Sequence, residues 1–202
     1  MVSEEVQPAD EHLVGLCRGG SLEAFNELVE RHQGAVYGLC LRLLGSPQAA
    51  EDATQEAFLS AYRAVHSFSG SNVRGWLLRI AANESKDELR RRRRKDSGRS
   101  LDEMFDREGA PIEVPDASPG AEHLIEQVEI QVGLQRALDR LPFDQRQAVV
   151  LSDVYGYRYD EIVEMTGASL GTVKSRIHRG RERLRALVFA EPELFERVRR
   201  SE

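Results

Sequence analysis

Apolar side chains recur every three or four residues in several segments of the chain, and Gly, Ser and Pro separate these segments. Such spacing is typical of amphipathic helices. The first long segment runs from Ser21 to Leu44. It is followed by Gly45-Ser46-Pro47, where Gly can end one helix, Ser can cap the next and Pro fits its first position. Further helices are predicted at Val73 to Arg94, Ile130 to Leu141 and Phe143 to Val154. Helix-forming residues dominate and aromatic residues are few, which predicts an all-α protein.

Two helices joined by a tight turn are predicted between Tyr159 and Arg185. The short first helix ends near Met165, and the longer second helix opens at Ser169, whose hydroxyl can cap it. Thr166-Gly167-Ala168 forms the break. The stripe expected to face inward consists of Leu170, Val173, Ile177, Leu184 and Leu187, and Gly180 completes it where another backbone comes close.

The other face of this second helix is polar and basic. Its candidate DNA contacts are Thr172, Lys174, Ser175, Arg176, His178 and Arg179. The major groove of DNA admits one helix, and Arg can pair with a guanine edge. A basic amphipathic helix alone is often only a solvated surface, but the short helix and Gly turn before it favour a DNA-reading helix-turn-helix.

The segment after Pro47 is predicted to continue as a helix to about Ser67, with Phe58, Ala61, Tyr62 and Val65 facing inward. Its polar face carries Asp52, Gln55 and Glu56. Carboxylates one turn apart can serve acid/base catalysis, but no nucleophile or metal ligand accompanies them. We therefore predict no enzyme activity, no metal site and no cofactor.

A second basic surface is predicted on the helix from Val73 to Arg94. Polar residues recur on one face at helical spacing: Arg79, Asn83, Lys86, Arg90 and Arg93. The stripe ends in six consecutive basic residues, Arg90 to Lys95. A basic run alone could be a solvated tail, but its continuity with an ordered stripe favours a track for a nucleic-acid backbone.

Composition divides the chain into domains at residues 1–95 and 127–190, with a tail at 191–202. Residues 96–126 are acidic and contain three prolines, which predicts a flexible linker with a short turn around Leu101 to Phe105. No apolar run is long enough to span a bilayer and the first ten residues are polar, so we expect a cytoplasmic chain without signal peptide or membrane insertion. Cys17 and Cys40 are expected to be buried, reduced thiols.

The net charge of the 202 residues is -6. Most non-specific DNA affinity comes from neutralised phosphates, so an acidic chain with basic islands should bind DNA weakly by itself. A partner that supplies the remaining affinity is therefore expected.

Both halves of the chain resemble extracytoplasmic-function sigma factors, which are specificity subunits of bacterial RNA polymerase. Tyr159-Asp160-Glu161-Ile162, Gly171-Thr172-Val173-Lys174-Ser175-Arg176 and Arg179-Gly180-Arg181 are similar to the family's fourth domain. Glu51 to Phe58 resembles the helix that docks on the polymerase clamp, and Trp76 to Asn83 the domain that recognises and melts the -10 element. The resemblance covers roughly Leu13 to Leu187. The family usually has Ala where this chain has Val163 and Gly180.

The resemblance implies a mechanism without covalent chemistry. Asp52, Gln55 and Glu56 would dock on core RNA polymerase. The helix-turn-helix would read duplex -35 DNA through Ser175, His178 and Arg179, aided by Thr172 and with Lys174 and Arg176 on phosphates. The opened -10 strand would be held by Phe68, Ser69, Asn72, Arg79, Asn83 and Arg90. Core polymerase would set the relative placement of the two domains, and the resemblance also implies an anti-sigma factor as a further partner. The linker would either be a spacer or thread the polymerase's RNA channel.

An autonomous, dimeric helix-turn-helix regulator is the main alternative. It predicts site-specific DNA binding without polymerase, and it assigns no role to Arg79, Asn83 and Arg90. A nucleic-acid-processing enzyme would need a metal or carboxylate cluster, and the sequence contains no such pattern.

Overall fold

The computed structural model describes residues 9–96 and 121–190. Within these ranges the chain is helical and has no strands. The helices are α1 (Asp10–Arg18), α2 (Leu22–Leu44), α3 (Pro47–Ala64), α4 (Val73–Asp96), α5 (Ala121–Asp139), α6 (Phe143–Val149), α7 (Tyr159–Thr166) and α8 (Leu170–Phe189). A 3₁₀ turn (Val65–Ser67) follows α3, and a π-helical segment (Val150–Val154) extends α6. The all-α prediction is confirmed.

The C-terminal boundary predicted for the linker differs from the structure. Helix α5 begins at Ala121, within the range assigned to the linker. Most of that range, including the predicted turn around Leu101 to Phe105, lies outside the described residues, as does the predicted tail at 191–202.

Serine side chains cap three helices, and the caps at Ser46 and Ser169 are those that the sequence predicts. The hydroxyl oxygen of Ser21 accepts from the backbone N–H of residue 24 at 3.2 Å, and Ser46 and Ser169 cap α3 and α8 in the same way. Each cap satisfies a backbone donor that the first helical turn leaves without a partner. Gly45, with φ of 68°, ends α2 in the left-handed conformation. Local sequence therefore sets these boundaries.

Helices α1 to α4 form the N-terminal unit around a core in which Leu28, Leu39 and Leu78 are buried. Helix α3 faces this core mainly through small side chains: Ala49, Ala50, Ala53, Ala57 and Ala61. Tyr62 was expected to face inward, but it is 40% exposed and packs its ring edge-on against Phe25. The Tyr62 ring therefore lies at the margin of the core and not within it.

Helices α5 to α8 form the C-terminal unit. Val173 and Ile177 of α8 are buried as predicted, and Gly180 lies where α8 crosses α6. The prediction that Leu170 faces inward is wrong: this first residue of α8 lies at the end of the stripe and is 46% exposed. Leu184 and Leu187 are partly exposed.

The two units contact each other directly, and one continuous hydrophobic cluster spans both. The Tyr155 hydroxyl donates to the carbonyl oxygen of Ala35 at 2.7 Å, and the Arg146 guanidinium donates to the carbonyl oxygen of Leu43 at 2.7 Å. The expectation that only a polymerase scaffold fixes their placement is therefore wrong for the free chain. Contacts between residues far apart in sequence therefore decide how the two units are arranged.

Candidate nucleic-acid interface

The outer face of α8 carries the six residues predicted to contact duplex DNA. Lys174, His178 and Arg179 are exposed. His178 Nε2 lies 3.4 Å from a carboxylate oxygen of Glu182, one turn along the same helix. The helix begins at an exposed N-terminal turn and carries long cationic side chains on its exposed face. Such a helix has the geometry needed to enter a major groove.

The other three predicted residues are engaged in internal contacts. Thr172 Oγ1 lies 2.8 Å from the Ser169 hydroxyl, and the Ser175 hydroxyl donates to the Thr172 carbonyl at 2.9 Å. The Arg176 guanidinium donates to Asp144 at 2.6 Å and is only 27% exposed. Arg176 would therefore have to exchange Asp144 for a phosphate when it binds DNA.

The loop after α3 is held by the helices on either side of it. The Arg18 guanidinium donates to the carbonyl oxygens of Val65 and Phe68, and the Asn72 amide oxygen accepts from the backbone N–H of Gly75 at 2.7 Å. Asn72 thus caps the start of α4 through its amide oxygen, and its NH₂ group takes no part in this bond. Phe68 is 9% exposed, because its ring packs against Trp76 with 4.7 Å between centroids. Phe68 therefore forms part of a wall and does not project as a base-stacking platform.

A polar cavity of about 550 Å³ lies between this loop and α7. On the N-terminal side it is lined by four of the predicted -10 residues, namely Phe68, Ser69, Asn72 and Arg79. Asn83 and Arg90 are exposed further along α4, and Arg90 pairs with Asp87 at 3.0 Å. The structure thus brings together four of the six residues. The α7 side of the cavity is lined by Arg158, Asp160, Glu161, Glu164 and Met165. The sequence does not predict these residues as part of a site.

The face of α3 predicted to dock on polymerase is exposed and lies beside an apolar cleft. Asp52, Gln55 and Glu56 are all exposed, and Gln55 itself lines the cleft, whose volume is about 570 Å³. Its other walls are Leu22, Phe25, Val29, Gln33, Thr54, Phe58, Leu59 and Tyr62. Leu22 is 57% and Leu59 48% exposed. This face therefore combines an acidic edge with an uncovered apolar groove, a composition suited to protein contact.

An ion pair between a buried arginine and a partly exposed aspartate lies where the two units meet. Arg146 Nη1 donates to Asp139 Oδ1 at 3.0 Å, and Nη2 donates to the carbonyl oxygens of residues 139 and 141. Burial lowers the pKa of the Arg146 guanidinium and raises the pKa of the Asp139 carboxyl, because each charge is partly removed from water; their mutual attraction opposes both shifts. Burial also raises the pKa of the Tyr155 hydroxyl.

Across residues 9–96 and 121–190, no three His, Cys, Asp or Glu side chains are grouped so as to hold a metal ion. None of the helices in these ranges has the length and apolar character needed to span a membrane. His32 is buried, and its Nε2 lies 2.7 Å from Asp10, as expected of a core histidine with a hydrogen-bond partner.

Two family models match the chain, Sigma-70 region 2 over residues 28–95 and Sigma-70 region 4 over residues 131–184. The ECF RNA polymerase sigma-E factor of Escherichia coli K12 is 37% identical over 181 residues, which are 87% of this chain and 92% of that protein. The ECF RNA polymerase sigma factor SigE of Mycolicibacterium smegmatis is 42% identical over 165 residues, 82% of this chain. The match spans only 62% of the length of that relative.

Two solved structures are similar to this fold. The sigma factor RpoE in complex with the anti-sigma factor NepR, from Bartonella quintana, has a TM-score of 0.66 at 27% identity, covering 84% of this chain and 99% of that one. CnrH in complex with the cytosolic domain of CnrY has a TM-score of 0.61 at 26% identity, covering 91% and 99%.

Proposed function

The chain belongs to the extracytoplasmic-function sigma factors of RNA polymerase, and from that premise we propose that it docks on core polymerase and directs initiation at a two-part promoter. The observation that carries this proposal is the presence of two basic surfaces on separate helical units, α4 with its preceding loop and the exposed face of α8. One unit would read single-stranded DNA and the other duplex DNA.

In the duplex contact, Arg179 and His178 would read base edges, because they are the exposed polar side chains in the middle of the α8 face. Lys174 would bind a phosphate beside the first turn, and Ser175 would contribute a hydroxyl at close range. Thr172 supports Ser175 by accepting its hydrogen bond through the backbone carbonyl. Arg176 would join the phosphate contacts once it leaves Asp144.

The contact with the opened -10 strand would be made by the cavity beside α4. Flipping a base out of the stack costs a few kcal/mol, so a melted base needs a polar pocket or a stacking surface to offset that loss. Ser69 and the NH₂ group of Asn72 would supply hydrogen bonds, and the largely buried Phe68 ring would supply an apolar wall. Arg79, Asn83 and Arg90 would then follow the backbone along α4.

Docking on polymerase would use Asp52, Gln55 and Glu56 together with the apolar cleft beside them. The acidic edge would steer a basic partner surface, and the exposed Leu59 side chain would supply buried apolar area. The chain would act without covalent chemistry and in the cytoplasm, where polymerase is found. Because the RpoE relative is bound to an anti-sigma factor, we infer that a protein of that class also binds this chain.

The proposal is tested by adding the purified chain to core RNA polymerase on a promoter library and sequencing the transcripts. We expect initiation at a defined two-part motif. Arg179→Ala should weaken use of the upstream element by about 1 to 3 kcal/mol if a bidentate base contact is lost. Arg179→Lys keeps the charge without the fork geometry and should also relax base preference at that position.

Arg185→Ala provides the comparison, since it removes the same charge further along α8 and should lower binding evenly across sequences. An unchanged base preference in Arg179→Ala would contradict the assignment. Equal footprints from the chain alone, with no effect of added polymerase, would favour the autonomous regulator.

A further inference from the structure

We propose that Arg18, the last residue of α1, is a positioning residue for the segment from Phe68 to Asn72, which we call the -10 loop. Its guanidinium group fixes the place at which Ser69 and Asn72 present their hydrogen-bonding groups to an opened base. This inference rests on the proposed function, since it assigns a further residue to the same -10 contact. Arg18 does not line the cavity beside the loop, so it acts through the loop and not on the base itself.

The Arg18 guanidinium bridges two carbonyl oxygens at the start of the -10 loop. Its Nε donates to the carbonyl oxygen of Val65 at 3.4 Å, and its Nη2 donates to that of Phe68. These acceptors lie 47 and 50 positions further along the chain. A guanidinium group is planar and its N–H groups point in fixed directions, so one arginine can hold two acceptors at a set separation. The backbone that leads from α3 into the loop is therefore tied to α1 at two points.

The remainder of the -10 loop is held from the side of α4. The Asn72 amide oxygen accepts from the backbone N–H of Gly75 at 2.7 Å, and the Phe68 ring packs against Trp76. A Cβ built on Gly70 would lie 3.3 Å from Phe68 Cε2, so the loop backbone runs directly against that ring. The guanidinium group of α1 adds a restraint from a helix that does not flank the loop in sequence.

Reading a base requires the loop to keep one shape. Hydrogen bonds weaken steeply when donor and acceptor are misaligned, and a loop that must first become ordered loses conformational entropy on binding. Without Arg18, the carbonyl oxygens of Val65 and Phe68 lose their common donor, and the backbone between them gains freedom. Ser69 and Asn72 would then no longer meet a base in one geometry. The loss should therefore affect the discrimination between bases more than the binding of DNA in general.

Arg18→Ala is tested with core RNA polymerase on two promoter libraries, one with a randomised downstream element and one with a randomised upstream element. Arg18 is exposed, so its replacement should leave the core intact. We expect the preference for the best downstream sequence over the library average to fall about three- to tenfold, because two hydrogen bonds to the loop are lost. Preference for the upstream element should be unchanged. Arg18→Lys keeps the charge without the planar fork and should give an intermediate downstream preference.

Arg31→Ala is the matched control. Arg31 connects α1 to α2, since its Nη1 donates to Asp10 Oδ1 at 3.2 Å. Its replacement removes the same charge as Arg18→Ala and loosens the same helix, but it leaves the carbonyl oxygens of Val65 and Phe68 with their donor. We therefore expect Arg31→Ala to keep the downstream preference of the wild type.

Two measurements on the free chain report on the loop without polymerase. Trp76, the chain's one tryptophan, is 8% exposed, and its ring centroid lies 4.7 Å from that of Phe68. Acrylamide should quench its emission more strongly in Arg18→Ala, because the ring that covers it is released. The backbone N–H of Phe68 donates to the carbonyl oxygen of Val65, and its hydrogen exchange should become faster in the same variant.

Gly70→Ala perturbs the -10 loop without changing the charge of the chain. Its methyl group crowds the Phe68 ring, so either the ring or the loop backbone has to move by a few tenths of an ångström. We expect the downstream preference to fall in this variant as it does in Arg18→Ala, with the upstream preference again unchanged. Agreement between the two variants would show that loop shape, and not the charge of Arg18, sets the preference.

An even loss of initiation over all downstream sequences in Arg18→Ala would indicate a phosphate contact and overturn the proposal. Equal changes in preference in Arg18→Ala and Arg31→Ala would also overturn it, since they would attribute the effect to α1 as a whole. Should Arg18→Ala lose helical content by circular dichroism, Arg18→Lys and Gly70→Ala decide.

The two hypotheses can fail separately. If the wild-type chain does not initiate at defined sites, the proposed function fails, while quenching and hydrogen exchange still judge whether Arg18 fixes the loop. Defined initiation by the wild type with an unchanged downstream preference in Arg18→Ala contradicts only the role of Arg18.

Discussion

Gly180→Ala tests how closely α8 packs against α6. Gly180 is buried, and a methyl group built on its Cα would lie 2.6 Å from Val149 Cγ2 and 3.2 Å from the carbonyl oxygen of Gln145. Ordinary carbon contacts are near 3.5 to 4.0 Å, so either Val149 or the whole of α6 has to move by about 1 Å. We expect the substitution to destabilise the fold, although the family usually has alanine at this position.

The magnitude follows from two opposing effects. Alanine favours a helix interior over glycine by about 1 kcal/mol, whereas forcing an extra methyl into a packed contact costs about 1 to 3 kcal/mol. The net loss in the free energy of unfolding should thus be about 1 kcal/mol. Val149→Ala removes the opposing methyl groups, so in that background Gly180→Ala should become stabilising by up to about 1 kcal/mol. The double-mutant cycle should then give a coupling energy of about 2 kcal/mol.

Urea unfolding followed by far-UV circular dichroism measures each variant. Gly171→Ala in the first turn of the same helix is the control, because nothing lies within 4 Å of a methyl group there; it should be neutral or slightly stabilising. If Gly180→Ala stabilised the wild-type chain as Gly171→Ala does, or if Val149→Ala did not change its effect, the close crossing of α6 and α8 would be refuted.

Two further outcomes are expected. Replacing either Asp52 or Glu56 by Lys should weaken association with core polymerase in an anisotropy titration, most strongly at low salt. Glu11→Lys makes the same charge change on α1 and should have little effect, and equal losses would contradict a local docking face. Cys17 and Cys40 are 3% and 0% exposed, and burial raises the pKa of both thiols. Iodoacetamide should therefore modify neither cysteine in the native chain and both in urea, as counted by mass spectrometry. Labelling of the native chain would contradict their burial.

Helix boundaries and buried stripes could be predicted because the interactions that set them are local. Ser169 caps α8 through a backbone donor three residues away, and Val173 and Ile177 share a face because a helix turns every 3.6 residues. The prediction of burial is wrong for two side chains, Leu170 in the stripe of α8 and Tyr62 in the stripe of α3. Helical periodicity gives the direction in which a side chain points, but it does not give the edge of the surface that covers it.

The amino-acid sequence by itself determined the helices, the two units they form, the basic faces of α4 and α8, and the family to which those patterns belong. The tertiary structure alone decided which of those cations are available. Arg176 meets Asp144 across 32 positions, Lys86 meets it across 58, and Tyr155 reaches Ala35 across 120. No periodicity spans such separations, because these contacts depend on how two independently patterned units pack, and that packing pairs acidic side chains with the surfaces proposed to bind DNA.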